Sequence, residues 1–171
     1  MSLFLETKNL IITTPELNDF NNLYTLQSDA DVMQYIGQGV RTEAEVLSGL
    51  DKAISHYQKH HFSLGCVFEK ESEVFVGRAG LIYLAYDDNQ PDIEVGYALM
   101  KNFWNKGYGT ELARALISWG FTQLVVEKLV GVINPYNERS RRVLEKAGMK
   151  YVGRSHYWTN EVDLYEIHKF G

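Results

Sequence analysis

DIEVGYALMKNFWNKGYGTELARAL, residues 92–116, decides how the rest of this chain is read. Residues 93–100 form an apolar strand. A short loop containing Gly107 and Gly109 follows, and apolar residues at 112, 115, 116 and 119 then repeat at helical spacing. Strand, glycine loop and helix, in that order, make an anion site. Glycines let the backbone turn sharply and approach a ligand closely, and the first N–H groups of a helix have no partner inside it. Those N–H groups and the positive end of the helix dipole suit a phosphate.

The familiar nucleotide patterns do not fit. A Walker-type loop needs Gly-Lys-Ser/Thr at the helix start, whereas Lys106 precedes Gly107 and no Gly lies four residues before it. A dinucleotide fingerprint needs Gly-x-Gly-x-x-Gly, and Leu112 stands at the third glycine, mid-chain and in a mostly antiparallel context. By itself the glycine loop leaves a phosphate site and a plain structural turn equally open.

Composition narrows the class. The 171 residues are 45% apolar and 23% charged, which predicts a single globular domain spanning 1–171. A net charge of −5 argues against a general nucleic-acid binder, which needs a basic surface. One cysteine, Cys66, cannot form an internal disulfide. The N-terminus lacks a basic start followed by an apolar run, and no apolar segment approaches bilayer length, so the expected setting is cytoplasmic, without membrane partners.

Before the central stretch, residues 9–14 read as a strand ended by Pro15, 17–27 as a helix, 31–36 as a shorter helix and 42–61 as a long one. The long helix opens on a capping box, Thr42 with Glu45, and Val46, Leu47, Leu50, Ala53, Ile54 and Tyr57 repeat every three or four residues. Residues 62–69 and 74–83 form a hairpin around a charged turn. Beyond the central helix, expected to run to about residue 126, 129–133 is a strand parallel to the opening one. Residues 138–147 are a helix capped by Asn137 and closed by Gly148. A final hairpin, 151–157 and 162–168, turns at Thr159 and Asn160.

One further stretch, taken together with the first, shifts that balance. Ile93-Glu94-Val95-Gly96-Tyr97, Trp104-Asn105-Lys106-Gly107-Tyr108-Gly109-Thr110-Glu111 and the run from Asn137 to Met149 together resemble the GNAT superfamily of acyl-CoA-dependent N-acetyltransferases. More narrowly they are similar to its RimJ/RimL branch, typified by ribosomal-protein N-terminal acetyltransferases. The motifs span about residues 93–150. The resemblance implies the α/β GNAT fold, with a mixed, mostly antiparallel sheet of about seven strands and helices on both faces.

It also implies acetyl-CoA as the donor, its pyrophosphate on the backbone N–H groups of Lys106, Gly107, Tyr108, Gly109, Thr110 and Glu111. Trp104 replaces the first residue of the superfamily pattern Gln/Arg-x-x-Gly-x-Gly/Ala, which leaves the backbone role of the glycines intact. The opening strand and 129–133 would splay in a V. Backbone groups around Tyr97 to Met100, those of Tyr97 and Leu99 among them, would hold the pantetheine arm. Ser140 would sit near the thioester sulfur and Asn137 would bind the pantetheine, while Asn137 is equally a helix cap. Tyr136 is a second candidate acid, since other branches use a tyrosine near this helix.

The implied reaction is direct attack by an amine on a thioester. An alkylamine with a pKa of about 10.4 must lose a proton first. Glu94, an acid inside an otherwise apolar strand, is the first candidate base, although strand alternation alone could turn it to solvent; Asp92 is the weaker alternative. Arg139, Arg142 and Lys146 share a helix face with Arg141 nearby and could meet the 3′-phosphate, with Glu138 and Glu145 neutralising part of that charge.

The remaining signals are weak. His56 and His60 have metal-ligand spacing without a His-Glu-x-x-His pattern, and no metal is expected. Cys66 reads as a core residue. Tyr83, Tyr86, Tyr97 and Tyr157 are candidates to line an acceptor pocket, with packing an adequate account of most. The acceptor is a protein N-terminus or a small amine such as a polyamine or aminoglycoside, the acidic balance mildly favouring a cationic one. The oligomeric state is a monomer or homodimer. The competing class is a non-catalytic acyl-CoA-binding module.

Overall fold

The computed structural model describes residues 2–157 and 160–170. Strands β1 (Leu3–Glu6), β2 (Leu10–Thr13), β3 (Leu64–Glu69), β4 (Phe75–Tyr83), β5 (Ile93–Leu99), β6 (Lys128–Ile133), β7 (Lys150–Tyr157) and β8 (Asn160–His168) form one sheet in the order β1-β2-β3-β4-β5-β6-β8-β7. Among the described residues only β5 and β6 run parallel. The helices are α1 (Phe20–Gln27), α2 (Ala30–Met33), α3 (Glu43–His60), α4 (Tyr108–Gln123) and α5 (Glu138–Lys146). None of the described helices is long and apolar enough to cross a membrane.

The expected strands are present, and an eighth joins them. β1 is a four-residue edge strand too short to show a period, and its turn to β2 is held from afar. The Glu111 carboxylate accepts from Thr7 Oγ1 at 2.5 Å and from the Asn9 backbone and side-chain amides at 2.9 and 2.7 Å. Helix α4 stops at Gln123, earlier than expected, because Leu124 turns extended (φ −111°, ψ 151°) ahead of the β-branched pair Val125-Val126. Thr159, in the expected final turn, lies outside the described residues.

Strand alternation divides the core between two faces. On one, Ala79 and Leu81 of β4 and Val95 of β5 pack with Leu112 and Leu116 of α4 and Leu144 of α5. On the other, Cys66 of β3 packs with Leu23, Val46 and Leu50 of α1 and α3, and Ala98 of β5 with Leu26, Val32 and Met33. Helix α3 has both halves of the Thr42–Glu45 capping box and closes on His61 in the left-handed conformation, φ 65°. Its His56 is structural: Nδ1 lies 2.8 Å from the Phe62 carbonyl, Nε2 accepts from the Tyr83 amide, and burial lowers its pKa.

Candidate functional site

Everything at the site follows from one interruption in the sheet. β5 pairs with β4 along its whole length, from Ile93 with Tyr83 to Leu99 with Gly77, yet it meets β6 only at Glu94 and Val130. Past Glu94 the two parallel strands separate. The Met100 N–H turns back to the Val76 carbonyl at 2.8 Å, so by alternation the amides of Leu99 and Tyr97 point into the gap. Met100 is therefore not among the groups facing the gap, and the Leu99 carbonyl accepts from Trp104 Nε1 at 2.9 Å.

The chain then makes the tight turn the glycines anticipate. Asn105 (φ 63°) and Gly107 (φ 82°) are left-handed, and the first α4 bond runs from the Glu111 N–H to the Gly107 carbonyl at 3.0 Å. The N–H groups of Tyr108, Gly109 and Thr110 precede that bond, and all three residues line an open groove of about 200 Å³. Gly109 is needed for clearance: a Cβ there would stand 3.2 Å from Val143 Cγ2 and 3.3 Å from Tyr97 Cε2. The side chains of Lys106 and Glu111 do not line the groove. Lys106 lies over the Phe103 ring and Glu111 anchors the β1–β2 turn, so any part they play in the groove falls to their backbone.

Helix α5 forms the opposite wall. The Asn137 side chain accepts from the Ser140 N–H at 3.2 Å, and both residues line the groove, so capping and ligand binding remain compatible. The Tyr97 hydroxyl donates to Ser140 Oγ at 3.2 Å, and burial raises the tyrosine pKa against the opposing effects of Ser140 and Arg139. Arg139 stacks on Trp104, 3.7 Å from the ring centroid. Arg139, Arg142 and Lys146 line the groove together, as their spacing anticipates, while Arg141 pairs with Glu138. Tyr136 is not brought to the groove; it is 78% exposed.

If Arg139 and Arg142 meet a 3′-phosphate, replacing both with alanine raises the KM for acetyl-CoA by about 10-fold or more, in keeping with lost charge-assisted bonds. The KM for the dephospho-CoA thioester should barely change. Equal effects on the two donors would sink that role.

Glu94 stands where the V begins. Its side chain points to the α1–α3 face, and burial pushes its carboxyl up to about 7 against the pull of the Arg78 guanidinium. Strand alternation thus turns it to the helix-covered face, where it is half-buried; it lines neither the groove nor the smaller cavity beside Arg78. Asp92 is engaged by Lys128 at 3.6 Å. Arg78 was not singled out in the sequence, yet it carries the signal that picked out Glu94, a charge inside an apolar strand. Val32 and Ile36, at and just beyond the end of α2, also line the groove, and nothing local in the sequence marks them. Of the four tyrosines, Tyr97 lines the groove, Tyr86 lines a smaller cavity beside Arg78, Tyr83 packs on His60 and Phe62, and the Tyr157 side chain lies outside what the structure describes. Cys66 is buried, and burial raises its thiol pKa further from the thiolate a nucleophile needs.

Known proteins share the family and the fold. Bacillus subtilis YnaD, described as an uncharacterized N-acetyltransferase, is 28% identical over 149 residues, covering 87% of this chain and 84% of its own. A GNAT-family acetyltransferase from Bacillus anthracis has a similar structure, with a TM-score of 0.82, 25% identity and coverage of 99% and 100%. The aminoglycoside acetyltransferase AAC(6′)-Ib, solved with paromomycin and acetyl-CoA, shares the fold at a TM-score of 0.76, 20% identity and coverage of 96% and 95%. The model of the acetyltransferase (GNAT) domain matches residues 9–150, and on that match the chain belongs to the GNAT acetyltransferase family.

Proposed function

We propose that this protein transfers the acetyl group of acetyl-CoA to a primary amine by direct attack. The observation that carries the reading is the coincidence, at one split in the sheet, of a half-buried acid and a phosphate-type helix start. Glu94 stands at the vertex of the V, and the free N–H groups of Tyr108, Gly109 and Thr110 line the groove beyond it. The groove suits a CoA ester: unpaired strand amides at Tyr97 and Leu99, oriented helix amides for a pyrophosphate, and the cations Arg139, Arg142 and Lys146 further along the wall.

The donor supplies an activated acyl carbon. Glu94 takes the proton from the incoming ammonium, by itself or through one water, and frees the lone pair. The amine nitrogen then bonds to that carbon as the carbon–sulfur bond breaks. Ser140, polarised by its contact with the Tyr97 hydroxyl, offers a hydrogen bond or proton to the departing sulfur. The products are an amide and the free thiol, with the amine's proton passed on to solvent. Tyr136 would reach the sulfur only if its loop moved inward, so Ser140 and Tyr97 are the better placed pair. RimJ/RimL-like N-terminal acetylation remains one form of this activity, and acetylation of a small amine the other.

Mixing the protein with acetyl-CoA and a panel of amines and peptides, while following free thiol, tests the reading. Acceptor-dependent thiol release is expected. Tight acetyl-CoA binding with no release on any acceptor would favour a binding module.

A further inference from the structure

On the α1–α3 face of the sheet, a second, small cavity of about 20 Å³ opens beside Arg78, lined also by Gln27, Asp19, Tyr86 and Cys66. That volume admits one compact polar group and excludes a sugar ring. Register places it relative to the proposed base. Arg78 faces Ala98 and Glu94 faces Ile82, so the two charges share one face, four residues or roughly 13 Å apart along the strand direction at about 3.3 Å per residue. Gly80 and Gly96 occupy the paired position between them, so neither strand places a side chain there; Leu64 of β3 lies over it, its Cδ2 3.6 Å from where a Gly96 Cβ would stand. The long arginine side chain shortens the gap, and its charge is felt at Glu94.

Two features of this cavity bear on what could occupy it. Among the described residues Arg78 makes no hydrogen bond or ion pair, although its side chain is half-buried and carries five N–H donors. Arg41 lies close enough to oppose its charge and is likewise without a carboxylate partner among the described residues. Gln27 is 3% exposed, and its Oε1 has no partner. Asp19, the one carboxylate lining the cavity, caps the turn at Glu16, and burial raises its pKa. Two unpaired guanidinium groups repel a polyamine and attract an anion, and an orphaned amide oxygen asks for an N–H donor.

Resting on the transferase reading above, we infer that the acceptor is a small amine carrying a carboxylate. The carboxylate sits on Arg78 with help from Arg41, while the amine lies toward Glu94 and the thioester. Gln27 Oε1 accepts from the acceptor's N–H on the way. Arg78 and Arg41 place two positive charges here, faced by the carboxyls of Asp19 and Glu94, whereas the chain's overall negative charge by itself favours a cationic substrate.

Matched acceptors test this. Amino acids of increasing amine-to-carboxylate spacing are compared with their carboxamides, with spermidine, an aminoglycoside and phosphoethanolamine alongside, by acetyl-CoA-dependent thiol release. The best amino carboxylate should exceed its amide in kcat/KM by about 10- to 100-fold, the range of a charge-assisted pair. Arg78→Gln should erase that ratio and Arg41→Gln reduce it, with acetyl-CoA affinity by calorimetry unchanged in both, which also shows that the variants fold. Equal use of acid and amide, a ratio unchanged in Arg78→Gln, or a preference for spermidine, the aminoglycoside or phosphoethanolamine overturns the carboxylate inference and leaves the transferase standing. No thiol release with any amine overturns both.

Discussion

Glu94→Gln should turn over about 10²- to 10⁴-fold more slowly than the unaltered enzyme, the range of a lost general base, while its KM for acetyl-CoA stays within about twofold. The substitution keeps the shape and removes only the proton acceptor. The pH profile carries the signature. A base works deprotonated, so kcat/KM of the parent should climb as pH rises through about 7 and level off above it, and that step should vanish in the variant. An unchanged rate would remove Glu94 from the chemistry and shift the proton to solvent or another group.

The same residue predicts a stability trend of the opposite sense. Its folded pKa of about 7 stands above the ordinary 4.5, so the stability it contributes is present below pH 4.5 and is lost as pH rises through 7. Above pH 7 the charged, desolvated carboxylate is a burden on the fold, and the glutamine variant should be the more stable protein by about 1–3 kcal/mol, or about 2–12 °C in Tm. At pH 4 the two should melt together. Thermal melts across that range check it, and a variant that is less stable at pH 8 would show that the carboxylate is held by favourable contacts.

Gly109→Val should weaken acetyl-CoA binding by at least about 100-fold, because the new side chain both overfills a packed contact and intrudes on the groove. Its Cβ alone stands 3.2 Å from Val143 and 3.3 Å from Tyr97, so the valine methyls must displace one of the two walls. Gly107→Ala is the informative contrast. Nothing lies within 4 Å of a Cβ there, so no clash arises, but its φ of +82° costs about 1–2 kcal/mol in backbone strain. That variant should lose stability and keep most of its affinity. Calorimetry with acetyl-CoA measures both, and full affinity in Gly109→Val would place the ligand elsewhere.

The chain shows plainly which signals are local. Thr42 and Glu45 announce the start of α3, and Asn137 and Gly148 bracket α5, because capping uses residues within four positions of each other. The β1 strand was not legible: four residues carry too little pattern, and what fixes their turn is Glu111, more than a hundred positions away. Tyr136 is a candidate acid only by family resemblance, and its side chain is 78% exposed and does not line the groove. Arg78 carries the same mark in the sequence as Glu94, a charge inside an apolar strand, and only the fold shows that the two lie on one face.

The sequence alone determined the order of elements, the glycine turn with its helix start, the cationic stripe on α5 and the acid in the central strand, since each rests on spacing within a few residues. Tertiary structure decided the rest. It inserted β8 between β6 and β7, split β5 from β6 just beyond Glu94, brought the Tyr97 hydroxyl to Ser140 across 43 residues, and set Arg78 on the same face as Glu94. These are consequences of long-range strand pairing and of which side of the pleat each residue falls on. A shift of one position in register reverses every such assignment, and register is fixed only when the whole core closes.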